Sequence, residues 1–326
     1  FQQASTAGTT IDLGLVDGSG NGSKTTVGGT FQFGNASTPS GSVFTISSGI
    51  PLDKITSDPD ADLKLAANLK INHLDTDNNT SLNLNGNSLQ LAVSNLGTAY
   101  TFPIDNGNGV YIPVIITFSS GTFSSGAYVE LETFASKHHE NESDINFLNR
   151  YWTVTTSGIT DPGYNISATY AEADVAGTDS EIAMGSYSGA LPWVKYGDAN
   201  AAANTLSATG ITATSFTFTG ITSDPPTITI NQGPTAAICQ GASLSLTTKS
   251  TGDAPLSWTW NPSAGLSADK IANPVATPSA TITYTVTVTD GNGFTAQDQI
   301  TITVNPLPTA AISGTTTVCQ NSAEPV

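Results

Sequence analysis

The residues that could do chemistry are few. The chain has three histidines, His73, His138 and His139. The last two are adjacent in Lys137-His138-His139-Glu140-Asn141-Glu142, a polar stretch that reads as a solvated loop. Neighbouring residues on an extended chain point to opposite faces, so the pair is poorly placed to share a metal. Asp174 and Asp179 would serve glycoside hydrolysis only if they faced each other across a cleft. No nucleophile elbow, phosphate-binding loop or Cys-x-x-Cys pair is present, and the expectation is a protein that is not an enzyme.

Two ligand chemistries fit better. Asp75-Thr76-Asp77-Asn78-Asn79 offers Asp75, Asp77 and Asn79 as oxygen ligands at alternate positions, as the start of a calcium loop does. It lacks the glycine of the sixth position, and the twelfth is Gly86 instead of glutamate. Asp58, Asp60 and Asp62 form a second oxygen-rich cluster. Calcium is thus the one cofactor the sequence suggests. Trp258 and Trp260 lie two apart and share a strand face. One suits a core and the other partial exposure, and Trp260 is the candidate for stacking on a glycan. Trp152 and Trp193 read as core residues.

The elements that must position these groups are β-strands. Charged residues make up 11% of the 326, with 9 Lys and Arg against 26 Asp and Glu, so Ser, Thr, Asn and Gly fill the polar positions. Thr favours strands, and Gly and Asn favour tight turns. A net charge of −17 with a single arginine, Arg150, argues against nucleic acid and anionic lipid as partners. No apolar run reaches the length of a membrane-spanning helix. Short helices are predicted only at 60–68 and 143–148.

Four regions follow from the patterning. Residues 1–100 form a Gly- and Asn-rich β region. In it Leu82 and Leu84, then Leu89 and Leu91, flank the turn Asn85-Gly86. Such a pattern fits a hairpin within a sandwich, marginally preferred, or rungs of a β-solenoid. Residues 101–224 read as a β-sandwich with strands at 110–118, 127–134, 150–155, 164–170, 192–196 and 215–219. Asp224-Pro225-Pro226 is a stiff linker. Residues 227–306 form a compact repeat in which Ile282, Tyr284, Val286 and Val288 share one face. Pro234-Thr235-Ala236-Ala237-Ile238 recurs as Pro308-Thr309-Ala310-Ala311-Ile312, so residues 307–326 open another copy. The fold class expected is all-β, with β-sandwich domains in tandem. The start at Phe1 and the break inside that copy suggest a processed or excised piece of a longer chain, for which a missing signal peptide says nothing against secretion.

The second half carries a resemblance. Ala237-Ile238-Cys239-Gln240-Gly241, Trp258-Thr259-Trp260-Asn261-Pro262, Asn273-Pro274 and Thr283-Tyr284-Thr285-Val286-Thr287-Val288-Thr289-Asp290 together resemble the PKD-like, immunoglobulin-like repeats of large Bacteroidetes surface proteins. Residues 101–222 resemble a further domain of such proteins through Phe102-Pro103-Ile104, Leu148-Asn149-Arg150-Tyr151-Trp152 and Asn204-Thr205-Leu206. The resemblance implies export by type IX secretion and a cell-surface or extracellular role in adhesion, gliding or filament formation. Expected partners are further copies or neighbouring repeats, and cell-surface glycans or proteins. A carbohydrate-binding accessory region of a secreted hydrolase is the alternative. The family pattern carries a second cysteine where this chain has Phe294, which is expected to fill the core volume left by a lost Cys239 disulfide. Cys319 would pair beyond the chain, with a Cys239–Cys319 bridge as the other option.

Overall fold

The computed structural model describes residues 81–308 throughout and, before them, 2–3, 10–12, 27–33, 42–47, 52–57 and 61–74. These residues contain strands, turns and two short 3-10 turns, and no α-helix. They divide into two compact units. The first is Phe1–Pro226 with Gly252–Leu256 and Thr289–Thr295; the second is Thr227–Thr251, Ser257–Val288 and Ala296–Val326.

The first unit begins with β1 (Gln2–Gln3), β2 (Thr10–Asp12), β3 (Val27–Phe33), β4 (Ser42–Ser47), β5 (Leu52–Ser57), β6 (Ala61–Leu65), β7 (Leu69–Leu74), β8 (Leu82–Asn83) and β9 (Leu89–Ala92). Odd-numbered strands pair in parallel in one sheet and even-numbered strands in parallel in another. That alternation is a β-solenoid. Leu52 stacks beside Ile71 and Ile71 beside Leu91, while Leu63 stacks beside Leu82, and all of these are buried. Each rung alone exposes an apolar row, and the next rung buries it.

The hairpin expected around Asn85-Gly86 is therefore corrected. The turn exists, with both residues at positive φ, but it joins β8 of one sheet to β9 of the other. A period-two pattern with a tight turn is common to both folds; partner choice is what separates them. Asparagines serve the solenoid corners by satisfying carbonyls of the preceding rung. Asn85 and Asn87 donate through Nδ2 to Leu65 O at 3.2 and 3.3 Å, and Ser88 N donates to Asn68 Oδ1 at 3.0 Å.

The helix expected at 60–68 is corrected too. Ala61–Leu65 is β6, paired in parallel with β4 and β8. Leu63 and Leu65 face inward at period two, and burial between two rungs outweighs the modest helix propensity of Leu, Lys and Ala. At 143–148 only the two-residue β12 (Phe147–Leu148) forms, paired with β14 (Val175–Ala176).

The sheet of odd-numbered strands continues past the solenoid. β9 pairs on its other side with β11 (Val114–Phe134), antiparallel, Leu89 opposite Leu131. β11 pairs along its length with β13 (Tyr151–Thr169), interrupted by register shifts between Phe118 and Tyr128. On one side of those shifts β11 meets β10 (Ala99–Phe102), and β13 meets β17 (Thr205–Ile211). On the other side β13 meets β18 (Ser215–Thr222), followed by β15 (Ile182–Tyr187) and β16 (Val194–Asp198). Bulges at that place let one hairpin pair with a different set of strands on each side of the shifts, all within one 12-stranded sheet. Sequence reading split each long strand in two at its Gly-Ser or Asp-Pro-Gly segment, where the strands are bulged but unbroken. One buried cluster runs from Ile46 and Leu52 through Phe118, Trp152 and Tyr164 to Phe218. Trp152 stacks on Phe218 with ring centroids 5.2 Å apart.

The second unit is Ig-like. It contains β19 (Thr227–Ile230), β20 (Thr235–Cys239), β21 (Leu244–Ser245), β22 (Thr248–Thr251), β23 (Ser257–Asn261), β24 (Val275–Ala276), β25 (Ile282–Thr289) and β26 (Thr295–Asn305), the last two ending or beginning in residues of the first unit. One sheet has the order β20-β26-β25-β23; the pairs β19-β22 and β21-β24 supply the remaining ladders. β20 runs parallel to β26, whereas the β19-β22 and β21-β24 pairs are antiparallel. Tyr284, Val286 and Val288 are buried, and Thr283, Thr285 and Thr287 lie on the wetter face.

Candidate functional site

The calcium candidates Asp75, Asp77 and Asn79, with Asp58 and Asp60, lie outside the described residues, as do Cys319 and the second copy of the repeat from residue 309. Among the described residues no group of three or more His, Cys, Asp or Glu side chains could hold a metal ion, and no helix is long and apolar enough to cross a membrane.

Trp260 does not present a glycan platform. Its side chain is 1% exposed and its Nε1 donates to Ile271 O at 2.9 Å, so no sugar can reach the ring face. Trp258 is the half-buried member of the pair, donating from Nε1 to Ser250 Oγ at 3.1 Å. Alternation put both indoles on one face, but only the position along β23 decides which is covered. Cys239 is exposed and free, next to the inward Ile238. It vacates no core volume, and Phe294 is half-buried instead of filling one.

The histidine pair is less solvated than its sequence suggested. His138 is buried against Tyr151, Trp193 and Tyr187, at centroid distances of 4.9, 5.2 and 5.3 Å, and its Nδ1 accepts from Glu140 N at 3.2 Å. Burial first, and the neighbouring His139 second, hold its pKa below the usual histidine range. A neutral ring in an aromatic pocket fits a packing role. His139 stays exposed, stacked on His138 at 4.6 Å.

Asp174 and Asp179 each have a separate partner. Asp174 Oδ2 accepts from Arg150 Nε at 2.7 Å in a buried ion pair. Arg150 also donates to Thr133 Oγ1 at 3.1 Å and to Asn106 O at 3.0 Å. Asp179 accepts from the hydroxyl of Tyr170; burial first, and that contact second, raise the Tyr170 pKa above the usual tyrosine value.

A second polar cluster, all within the first unit, centres on Asn292. Its Nδ2 donates to Ser143 Oγ at 3.0 Å and to Asp253 Oδ2 at 2.9 Å, and its Oδ1 accepts from Glu142 N at 2.9 Å. Asp253 Oδ1 accepts from Asp144 N at 3.0 Å. Burial raises the pKa of both Asp253 and Asp290, and the charge of Asp253 adds to the effect on Asp290. Each carboxylate caps loop amides, which is a positioning role.

One open cleft of about 290 Å³ is lined by charged and amide side chains. It is built by the solenoid's register. Leu63 pairs with Leu82, and Leu82 bridges to Ile104, all in parallel. The residues one place on, Lys64, Asn83 and Asp105, therefore form a column across three successive chain passes, about 4.8 Å apart. The turn Asn106-Gly107-Asn108-Gly109 forms a wall beside them, with both glycines at positive φ. Asp105 Oδ1 fixes that wall by accepting from Gly107 N at 2.6 Å, and Asn83 Nδ2 reaches Gly107 O at 3.5 Å. Sequence reading missed this group because its members are spread over more than forty residues. The one local signal is the Asp-Asn-Gly-Asn-Gly turn composition.

No protein-family model matches the chain, and no curated protein matches it. Among solved structures it is similar to one described as "Tandem Ig repeats of Dlar", at 12% identity, covering 65% of this chain and 92% of that chain with a TM-score of 0.21. So low a score carries no argument; the strand order above carries the Ig-like assignment. The fold defines an all-β protein of tandem units, the second of them Ig-like.

Proposed function

We propose that this chain is a non-enzymatic structural and adhesive segment of a large secreted bacterial surface protein, extending a stalk or filament outside the cell. The observation that carries this reading is the pairing of the first and last long strands of the Ig-like unit. β20 and β26 run parallel in an unbroken register from Thr235–Thr301 to Cys239–Asn305. Tension entering ahead of β20 and leaving after β26 would load all those hydrogen bonds together in shear, instead of opening them one at a time. A load-bearing role explains such a ladder without any chemistry at a site.

Export by type IX secretion, a Bacteroidetes source and assembly with further copies rest on the sequence resemblance and are part of the proposal. The accessory carbohydrate-binding alternative loses the residue that motivated it, since Trp260 is core. Electron microscopy of the secreted protein tests the proposal: stalks or fibres on cells support it, and uniformly dispersed monomers at high concentration count against it.

A further inference from the structure

We infer that Ser143 and Asn292 join in an intramolecular ester, formed by the chain itself with loss of ammonia. The two side chains are 149 positions apart, both are fully buried, and Asn292 Nδ2 stands 3.0 Å from Ser143 Oγ. An amide C–N bond is about 1.33 Å long, so Oγ lies at most about 4.3 Å from the amide carbon. Reacting atoms need to be about 3–3.5 Å apart. A shift of about 1 Å, with a turn of the amide about its Cβ–Cγ bond, closes that gap.

The groups that acyl transfer requires surround the pair. Thr222 N donates to Ser143 Oγ at 2.9 Å and fixes the hydroxyl. The lone pair now facing Asn292 Nδ2 is the one that attacks once the amide turns. Ser143 also hydrogen-bonds Asp253 in a way that favours its carboxylate form. Asp253 is 6% exposed, and burial raises its pKa, so its carboxylate is a stronger base than a solvated one. Asp253 Oδ2 accepts from Asn292 Nδ2 at 2.9 Å, so one carboxyl serves both the proton to be taken and the amine to be released. Asn292 Oδ1 accepts from Glu142 N at 2.9 Å, a backbone donor placed where negative charge develops in the reaction.

Atoms and electrons balance without a co-reactant. Ser143 Oγ bonds to Asn292 Cγ as Asp253 takes the hydroxyl proton. The C–N bond then breaks as Asp253 passes that proton to nitrogen, and ammonia leaves. Ammonia is protonated and diluted in solvent, which draws the exchange forward. Two side reactions compete for the same carbon. Water would give aspartate, and Gly293 N would give a cyclic imide with the same loss of mass. Burial of Asn292 limits the first, and Gly293 N is already tied to Asp290 O at 3.0 Å, which opposes the second. A covalent loop suits a load-bearing segment, but the chemistry does not depend on that reading.

Mass spectrometry of the intact folded chain tests this. The expected mass is that of the sequence less one ammonia. Peptic digestion in acid, which spares esters, should then yield one pair of peptides joined through Ser143 and Asn292. Ser143→Ala, checked for folding by circular dichroism, should keep the full mass. Asp253→Asn should slow the loss about a hundredfold or more, the usual contribution of a general acid–base group. The joined peptides are read on the native chain, so the test stands even if neither variant folds. The full sequence mass in the native chain, conversion of Asn292 to aspartate, ammonia loss that persists in folded Ser143→Ala, or an unslowed folded Asp253→Asn would overturn the inference. None of these outcomes alters what electron microscopy shows of stalks or fibres, so the two readings fail separately.

Discussion

Replacing Arg150 with methionine is expected to lower the unfolding free energy of the first unit by about 3–5 kcal/mol, the range for breaking a buried ion pair from one side. Arg150 is 2% exposed, and its guanidinium ties Asp174, Thr133 and the Asn106 carbonyl together. Methionine fills the volume of the stem but leaves the Asp174 carboxylate buried without its cation. The loss should therefore come from the orphaned charge and not from packing. A second variant separates the two: Arg150→Met with Asp174→Leu removes both charges and should recover most of the loss, because a well-packed apolar pair often matches a buried ion pair. Denaturant unfolding followed by tryptophan fluorescence reads both. A loss below about 1 kcal/mol for the single variant would mean that water reaches the carboxylate.

Trp260→Ala should destabilise the second unit by about 3–5 kcal/mol, the usual cost of emptying a buried tryptophan site. The indole is buried along β23, and its Nε1 bond to Ile271 O would be lost with it. Trp258→Ala, on the half-buried neighbour, should cost clearly less. Differential scanning calorimetry distinguishes this from a glycan-binding role: a surface platform could be deleted with little change in melting, whereas a core indole could not.

Alternation told most of what is now visible in the Ig-like unit. Tyr284, Val286 and Val288 face inward as the period-two pattern in β25 required, and Trp152 and Trp193 are buried as expected. Partner choice was not legible. The rows Leu82–Leu84 and Leu89–Leu91 have the same pattern whether they pair with each other or with the previous rung, and only the structure shows Leu63 and Ile71 as their neighbours. Ala61–Leu65 misled because helix propensity is a local signal, while a parallel strand is held by residues about twenty positions away in either direction. Arg150 stood out in sequence as the single arginine, but its partner Asp174 lies 24 residues on, beyond any local spacing rule. The cleft was hidden for the same reason, since Lys64, Asn83 and Asp105 meet only once the solenoid register is set.

The shear ladder of the Ig-like unit is the feature on which the structural role depends most. Pro234 O accepts from Thr301 N and Gln240 N donates to Asn305 O, both at 2.9 Å. By the two-residue alternation of a parallel ladder, Ala236 and Ile238 turn their backbone groups toward β26. Single-molecule stretching of residues 227–306 between handles at its two ends measures the load directly. One sharp unfolding peak is expected, releasing about 25 nm of chain at about 3.5 Å per extended residue. Ala236→Pro, which removes a ladder donor, should lower that peak markedly. A featureless extension of the folded unit, or a peak that Ala236→Pro leaves unchanged, would contradict it.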